Sequence, residues 1–149
     1  MNDIQSDFER LPGLAFLQKM IAERQRSPMS ETLDLRLIEV AEGRAVFEAF
    51  PSARFYNPQA RLHGGYAAAL IDTALGCAVQ TRMQPGVNFG TIELKVNYVR
   101  KIVVETGRLL CAAEVLHAGR RLATAEAKVV DEAGKLHAHG SGTFMVYAE

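Results

Sequence analysis

The sequence predicts an α+β fold in which a curved antiparallel sheet of about six strands wraps one long apolar helix. Three observations carry that expectation. From Gly64 to about Arg82 the chain is apolar nearly all round, with Ala67, Leu70, Ile71, Ala74, Leu75, Ala78 and Val79 covering most of a helical circumference. Extended runs with apolar residues at alternate positions lie on either side of it. The connections between the later runs are short and turn-like, as antiparallel neighbours require.

Leu14, Leu17, Met20 and Ile21 stand at helical spacing between Pro12-Gly13 and Ser27-Pro28, which predicts a short amphipathic helix over about residues 12–25. In "TLDLRLIEV" Leu33, Leu35 and Leu37 alternate with polar residues, Glu42-Gly43 makes a turn, and "RAVFEAF" completes a hairpin. Pro51 and Pro58 bracket an irregular loop that delivers the chain to the long helix, and Pro85-Gly86 closes that helix. In "TIELKVNYV" Ile92, Leu94, Val96 and Tyr98 alternate with Thr91, Glu93, Lys95 and Asn97, predicting a strand with one packed face. Segments 106–117, 121–131 and 135–146, joined at Ala118-Gly119 and between Asp131 and Gly134, form a meander. Such a sheet leaves open edges. Edge-to-edge pairing with a second copy covers one of them, so a homodimer is expected.

A chain of 149 residues suits one domain, 1–149, that buries roughly 70% of its unfolded surface. Apolar residues at 48% and charged residues at 23% describe a folded chain rather than a disordered one. With 17 basic against 17 acidic residues there is no net field to draw in nucleic acid or an anionic membrane, so an anionic ligand has to be held by local groups. Cys77 and Cys111 are remote from each other and lie in apolar segments, which suits buried free thiols in a reducing cytoplasm. The opening "MNDIQSDFERLPG" has no signal-peptide core, and Asp72 interrupts the only apolar run approaching a membrane span. A soluble, cytoplasmic protein is expected. His137 and His139 share a strand face, but His63 and His117 bear no spacing relation to them, and no metal site is expected.

The stretch "RLHGGYAAALIDTALGCAV", residues 61–79, raises the chemical question, because it sets one carboxylate, Asp72, in a run of small apolar residues. A buried acid is costly unless hydrogen-bonded or neutralised. Asp72 either reaches solvent or a structural partner, or it has work to do inside. Gly64 and Gly65 open the helix, where N–H groups lack intrahelical acceptors and the dipole is positive. They suit a developing oxyanion as well as they suit a tight turn. Eight residues at 1.5 Å rise put Asp72 roughly 12 Å from Gly64, so a substrate meets both only across an interface between two chains.

These residues carry a resemblance. From Asn57 through "LHGGYAAALIDTA" to "TIELKVNYVR", with the looser "GRRLATAEAKVVDEAGKLHAHGSGTF" behind, the chain resembles the hotdog-fold acyl-CoA thioesterases. The type it is most similar to is the phenylacetate-pathway (PaaI-like) branch of the 4-hydroxybenzoyl-CoA thioesterase superfamily, over roughly residues 30–146. The resemblance implies that Asp72 is the catalytic carboxylate, as general base or as nucleophile, and that the Gly64 N–H polarises the thioester carbonyl. By the same likeness Thr91 supplies a hydroxyl from the facing subunit that helps place the water, and Asn57 lies beside that water. His63 orients the loop, donates to the carbonyl or simply serves the nearby backbone. Arg120 and Arg121 at a turn, and Arg100 and Lys101 at a strand end, are candidates for coenzyme A phosphates, though any one such residue is more often a solvated surface charge. The implied partners are an acyl-CoA substrate and a second copy of the chain, as a dimer or a dimer of dimers. Coenzyme A enters only as part of substrate and product, with no tightly held cofactor. Two rivals stand beside hydrolysis: a hydratase or dehydratase on the same fold, and a non-catalytic acyl-CoA binding module.

Overall fold

A computed structural model describes residues 2–147. Its elements run α1 (Asn2–Arg10), α2 (Gly13–Ala22), α3 (Pro28–Thr32), β1 (Leu35–Ala41), β2 (Arg44–Ala49), α4 (Gly64–Gln80), β3 (Asn88–Tyr98), β4 (Leu109–Ala118), β5 (Leu122–Asp131) and β6 (Leu136–Tyr147). The six strands form one antiparallel sheet in the order β1-β2-β4-β5-β6-β3. The sheet curls around α4, which touches all six strands. This is the expected hotdog arrangement.

Burial explains why α4 holds the centre. Leu70, Ile71, Ala74, Leu75, Ala78 and Val79 are inaccessible to solvent and pack on Leu35, Leu109, Val129 and Phe144 from the strands. Small side chains let the sheet come close. At Gly142 a Cβ would stand 3.0 Å from Leu75, and at Gly140 it would stand 2.5 Å from the Lys95 carbonyl oxygen. The turns between strands use the residues expected of them, with Gly43 and Gly134 at φ of 75° and 78°.

The N-terminal region differs from the sequence expectation. The helix expected over 12–25 is the shorter α2, and two further helices, α1 and α3, flank it. Residues 2–10 hold only two apolar side chains, Ile4 and Phe8 one turn apart, and the Phe8 ring meets Phe16 of α2 at 5.9 Å between centroids while polar ties add to the docking. Asp7 is buried and accepts from Lys19 of α2 at 2.6 Å and from Arg10 at 3.2 Å. The Phe8 carbonyl accepts from the Gly86 N–H beyond α4. α3 is a single turn started by Ser27, whose hydroxyl oxygen accepts from the Ser30 N–H, with Pro28 behind it.

α2 docks on α4 through a close backbone approach. The Gly13 N–H donates to the Met83 carbonyl at 2.9 Å, and a Cβ on Gly13 would lie 1.7 Å from the Gln80 carbonyl oxygen. Only glycine fits there. Gly13→Ala is therefore expected to cost about 1–3 kcal/mol, read as a melting temperature lower by about 2–4 °C per kcal/mol. An unchanged melting temperature would show that α2 does not sit against α4.

Two carboxylates link stability to pH. The Lys19 ammonium holds Asp7 below its ordinary value of 3.8, and the hydrogen bond from His137 does the same for Asp131. A depressed carboxylate contributes stability that is fully present above its ordinary pKa and is lost as pH falls through the folded value. Acid unfolding should therefore steepen below about pH 4, and Asp7→Asn should flatten that limb in an acid titration followed by circular dichroism.

The β3 face also departs from simple alternation. Ile92, Leu94 and Tyr98 are 51%, 36% and 57% exposed, so the face expected to be packed is only partly covered by this chain. β3 is an edge strand, and a bulge interrupts it. Thr91 pairs with Phe144 and Glu93 with Thr143, which leaves Ile92 as the extra residue.

Candidate active site

The bulge decides where Thr91 points. Residues directly opposite across a ladder share a face, and Phe144, opposite Thr91, is buried against α4. Glu93 and Thr143, opposite each other, meet on the outer face, where the Thr143 hydroxyl donates to Glu93 at 2.9 Å. The extra residue thus turns Thr91 inward, and its Oγ1 donates to Asp72 Oδ1 of the same chain at 2.9 Å. Alternation set Thr91 among the polar residues opposite the packed face; the bulge instead turns it toward Asp72 of its own chain. Asp72, half-buried on α4, has its carboxylate oriented by a hydroxyl 19 residues away.

The other end of α4 holds the second group of residues. His63 is the N-cap, and its Nδ1 accepts from the Gly65 N–H at 2.8 Å. Gly64 occupies the first helical position, so its N–H precedes any intrahelical acceptor. The Gly64 carbonyl accepts from the Tyr98 hydroxyl at 2.8 Å, and a Cβ on Gly64 would stand 3.1 Å from the Tyr98 ring. Asn57 Oδ1 accepts from the N–H groups of Gln59 at 2.9 Å and Arg61 at 3.4 Å, which leaves its amide NH2 as the group it can offer to a ligand. Asn57, His63 and Gly64 border one cavity of about 360 Å³ together with Tyr98, Arg100 and Lys101.

The structure therefore sorts the expected residues into two groups. Asn57, His63, Gly64 and Arg100 lie at the α4 N-terminus, and Asp72 and Thr91 lie two turns along it. Arg100 also donates to the Leu136 carbonyl at 2.7 Å. Arg120 and Arg121 are exposed in the β4–β5 hairpin. That hairpin sits at the Thr91 end of the sheet, since Leu122 pairs with Met145 and Met145 with Gly90. No one chain brings those two arginines and Arg100 together.

Two contributors escape sequence reading. Tyr98 belongs to the apolar alternation of β3 but uses its hydroxyl to hold Gly64. His137 is buried beside the Gly64 cavity, with Nε2 2.9 Å from Asp131 Oδ2 and Nδ1 3.2 Å from the Lys101 carbonyl, and so braces the segment carrying Arg100 and Lys101. No local pattern marks either contact, because the partners are 34 and 36 residues apart. Among the described residues no group of three or more His, Cys, Asp and Glu converges as a metal site. Burial pushes both thiols, Cys77 and Cys111, up to about 12, and both are free. No helix of the described residues is long and apolar enough to cross a membrane.

A second cavity, of about 290 Å³ and mostly apolar, opens further along α4. Thr73, Gly76, Cys77 and Phe89 line its near side. Among Phe55, Tyr56, Tyr66 and Phe89, the aromatic residues that flank the motif, Phe89 lines this cavity. Tyr66 donates to the Leu33 carbonyl and packs on Phe55 at 5.0 Å between ring centroids, and Tyr56 accepts from the Val104 N–H.

Residues 59–138, which span both groups of site residues except Asn57, match the family model of the thioesterase superfamily. The chain belongs to that superfamily. It is 25% identical over 108 residues to a 1,4-dihydroxy-2-naphthoyl-CoA hydrolase of Listeria monocytogenes, covering 72% of this chain and 86% of the relative. A conserved protein of Pseudomonas aeruginosa superposes with a TM-score of 0.77 at 34% identity, covering 83% of this chain and 97% of that one. A mutant of the phenylacetic acid degradation protein PaaI from Thermus thermophilus gives 0.72 at 32% identity, covering 80% and 98%. The protein is thus a thioester hydrolase of the PaaI-like type. Within this thioesterase, α1, α2 and α3 lie outside the matched span.

Proposed function

We propose that this thioesterase hydrolyses acyl-CoA esters at a site shared by two copies of the chain. The observation that carries the reading is the Thr91–Asp72 hydrogen bond. It orients a carboxylate beside an open sheet edge, roughly 12 Å along α4 from the N–H donor the reaction needs. The β3 edge, with Ile92, Leu94 and Tyr98 exposed, is the surface a second copy covers. Two β3 edges paired antiparallel set Asp72 of each chain toward the α4 N-terminus of the other.

In that arrangement the thioester carbonyl oxygen accepts from the Gly64 N–H, where the helix dipole favours the negative charge that builds during attack. Asp72 either takes the proton from an attacking water or itself attacks the carbonyl carbon to give an anhydride that water then opens. Thr91 holds the carboxylate by donating to Oδ1, which leaves Oδ2 for the reaction. The Asn57 amide donates to the water. His63 acts by fixing the first turn of α4, and Arg100, with Lys101 nearby, meets phosphate groups of coenzyme A. The thiolate of coenzyme A leaves as product, and water is the only other reactant.

Release of free thiol from a panel of aromatic and aliphatic acyl-CoA esters tests the reading. Turnover of at least one ester at enzymatic rates is expected. Binding of the esters without turnover across the panel would make the protein an acyl-CoA binding module instead.

A further inference from the structure

We propose that His137 and Asp131 form a proton-dependent clamp that sets the affinity for coenzyme A by fixing residues 99–101, the segment that carries Arg100 and Lys101. Both are positioning residues, acting through that segment and not on the reacting atoms. The inference rests on the thioesterase reading above, in which the segment meets the phosphates.

A bulge puts His137 in place. Val129 pairs with Ala138 and Val130 with Leu136, so His137 is the extra residue of β6. The insertion breaks the alternation of the strand and leaves His137 and Ala138 buried in succession. His137 is 3% exposed and borders the cavity at the α4 N-terminus. From there it holds the segment at three atoms. Its backbone carbonyl accepts from the Val99 N–H at 2.8 Å and the Arg100 N–H at 3.1 Å, and its ring meets the Lys101 carbonyl at 3.2 Å.

The state of the ring follows from its two partners. Nδ1 faces a carbonyl oxygen, and Nε2, at 2.9 Å, faces a carboxylate oxygen. The hydrogen bond from His137, and after it the one from the Lys135 N–H, hold Asp131 below its ordinary value, so the carboxylate is charged and can only accept. Two acceptors are met together only by an imidazolium, which carries N–H on both nitrogens. A neutral ring keeps one N–H. That one stays with the carboxylate, the stronger acceptor, and a lone pair then faces the Lys101 carbonyl and releases it. Histidine changes charge between about pH 5 and 8, so the clamp loosens across neutrality. The charged and titratable groups around the ring are Asp131 at the end of β5, Arg100 and Lys101 in the segment, Tyr98 of β3, Arg61 and His63 on the same cavity, and Glu132 and Lys135 in the turn of its own hairpin. The α4 end is tied separately, since the Ile102 carbonyl accepts from the Leu62 N–H at 2.9 Å. Release therefore weakens the grip on phosphate and spares the chemistry.

The test measures KM and kcat from about pH 5.5 to about pH 8.5, for an acyl-CoA that is turned over and for the same acyl group on N-acetylcysteamine, a thiol without phosphates. Asp131→Asn is the informative variant. Its Oδ1 can still accept from the Ala133 and Lys135 N–H groups, and its amide donates to Nε2, which leaves the Nδ1 proton on the Lys101 carbonyl throughout. Ionisation of the substrate phosphates is common to both proteins and cancels in a ratio. The KM of wild type relative to Asp131→Asn should rise about tenfold from the acid to the alkaline end, as the loss of one hydrogen bond implies. The kcat ratio should stay level, and the N-acetylcysteamine ester should show no rise. Nitrogen NMR of the His137 ring in wild type needs no variant: two N–H nitrogens are expected at the acid end and one at the alkaline end. A level KM ratio, a rise shared by the N-acetylcysteamine ester, or a neutral ring at the acid end overturns the clamp and leaves the thioesterase reading standing. A chain that turns over no acyl-CoA overturns both.

Discussion

Asp72→Asn is expected to lower kcat on the best acyl-CoA ester by about a hundredfold or more, the usual loss when an acid-base group is removed. The amide keeps the size of the side chain and can still accept from Thr91 through its oxygen, so the geometry seen at 2.9 Å is preserved. What it loses is the negative charge, and with it both the capacity to take a proton from water and the capacity to attack. Because substrate binding depends on other groups, KM should move far less than kcat. Measuring both at equal folded concentration distinguishes this from a structural role. A variant that retains wild-type kcat would remove Asp72 from the chemistry.

Mixing two inactive variants is expected to restore activity, and this reads the shared site directly. Gly64→Pro removes one N–H at the first helical position, whose backbone suits proline, while its Cβ, 3.1 Å from the Tyr98 ring, requires that ring to shift by a few tenths of an ångström. His63 before it already has φ of −60° and ψ of 136°, which proline tolerates in its predecessor. Alone, this variant should lose about a hundredfold, as enzymes do when an oxyanion donor is deleted. A homodimer assembled at random from Gly64→Pro and Asp72→Asn chains pairs one intact Asp72 with one intact Gly64 in half the molecules, at one of two sites. Activity should therefore return to about a quarter of wild type after co-refolding. A mixture no more active than its components would place the two groups in one chain's site, against the roughly 12 Å that separates them along α4.

What was legible in the sequence is local. Apolar residues all round 64–82 could only be a buried helix, alternation marked the strands, and Gly43 and Gly134 marked turns, because these patterns depend on neighbours a few positions away. The two glycines at the helix start and the single acid inside it stood out as candidate site residues for the same reason. The tertiary structure decided the rest. α1 offers too little to read, since Ile4 and Phe8 are its only apolar residues and a buried Asp7 held by a lysine 12 residues on completes its docking. The direction of Thr91 depends on a one-residue bulge in the pairing of β3 with β6, and alternation has no means of registering an inserted residue. The apolar cavity joins residues from Ile4 to Phe89, and it exists only because the N-terminal helices, α4 and the sheet converge there. Periodicity records which side of an element is apolar. Which element it meets, and with what left over, is fixed only when the chain packs.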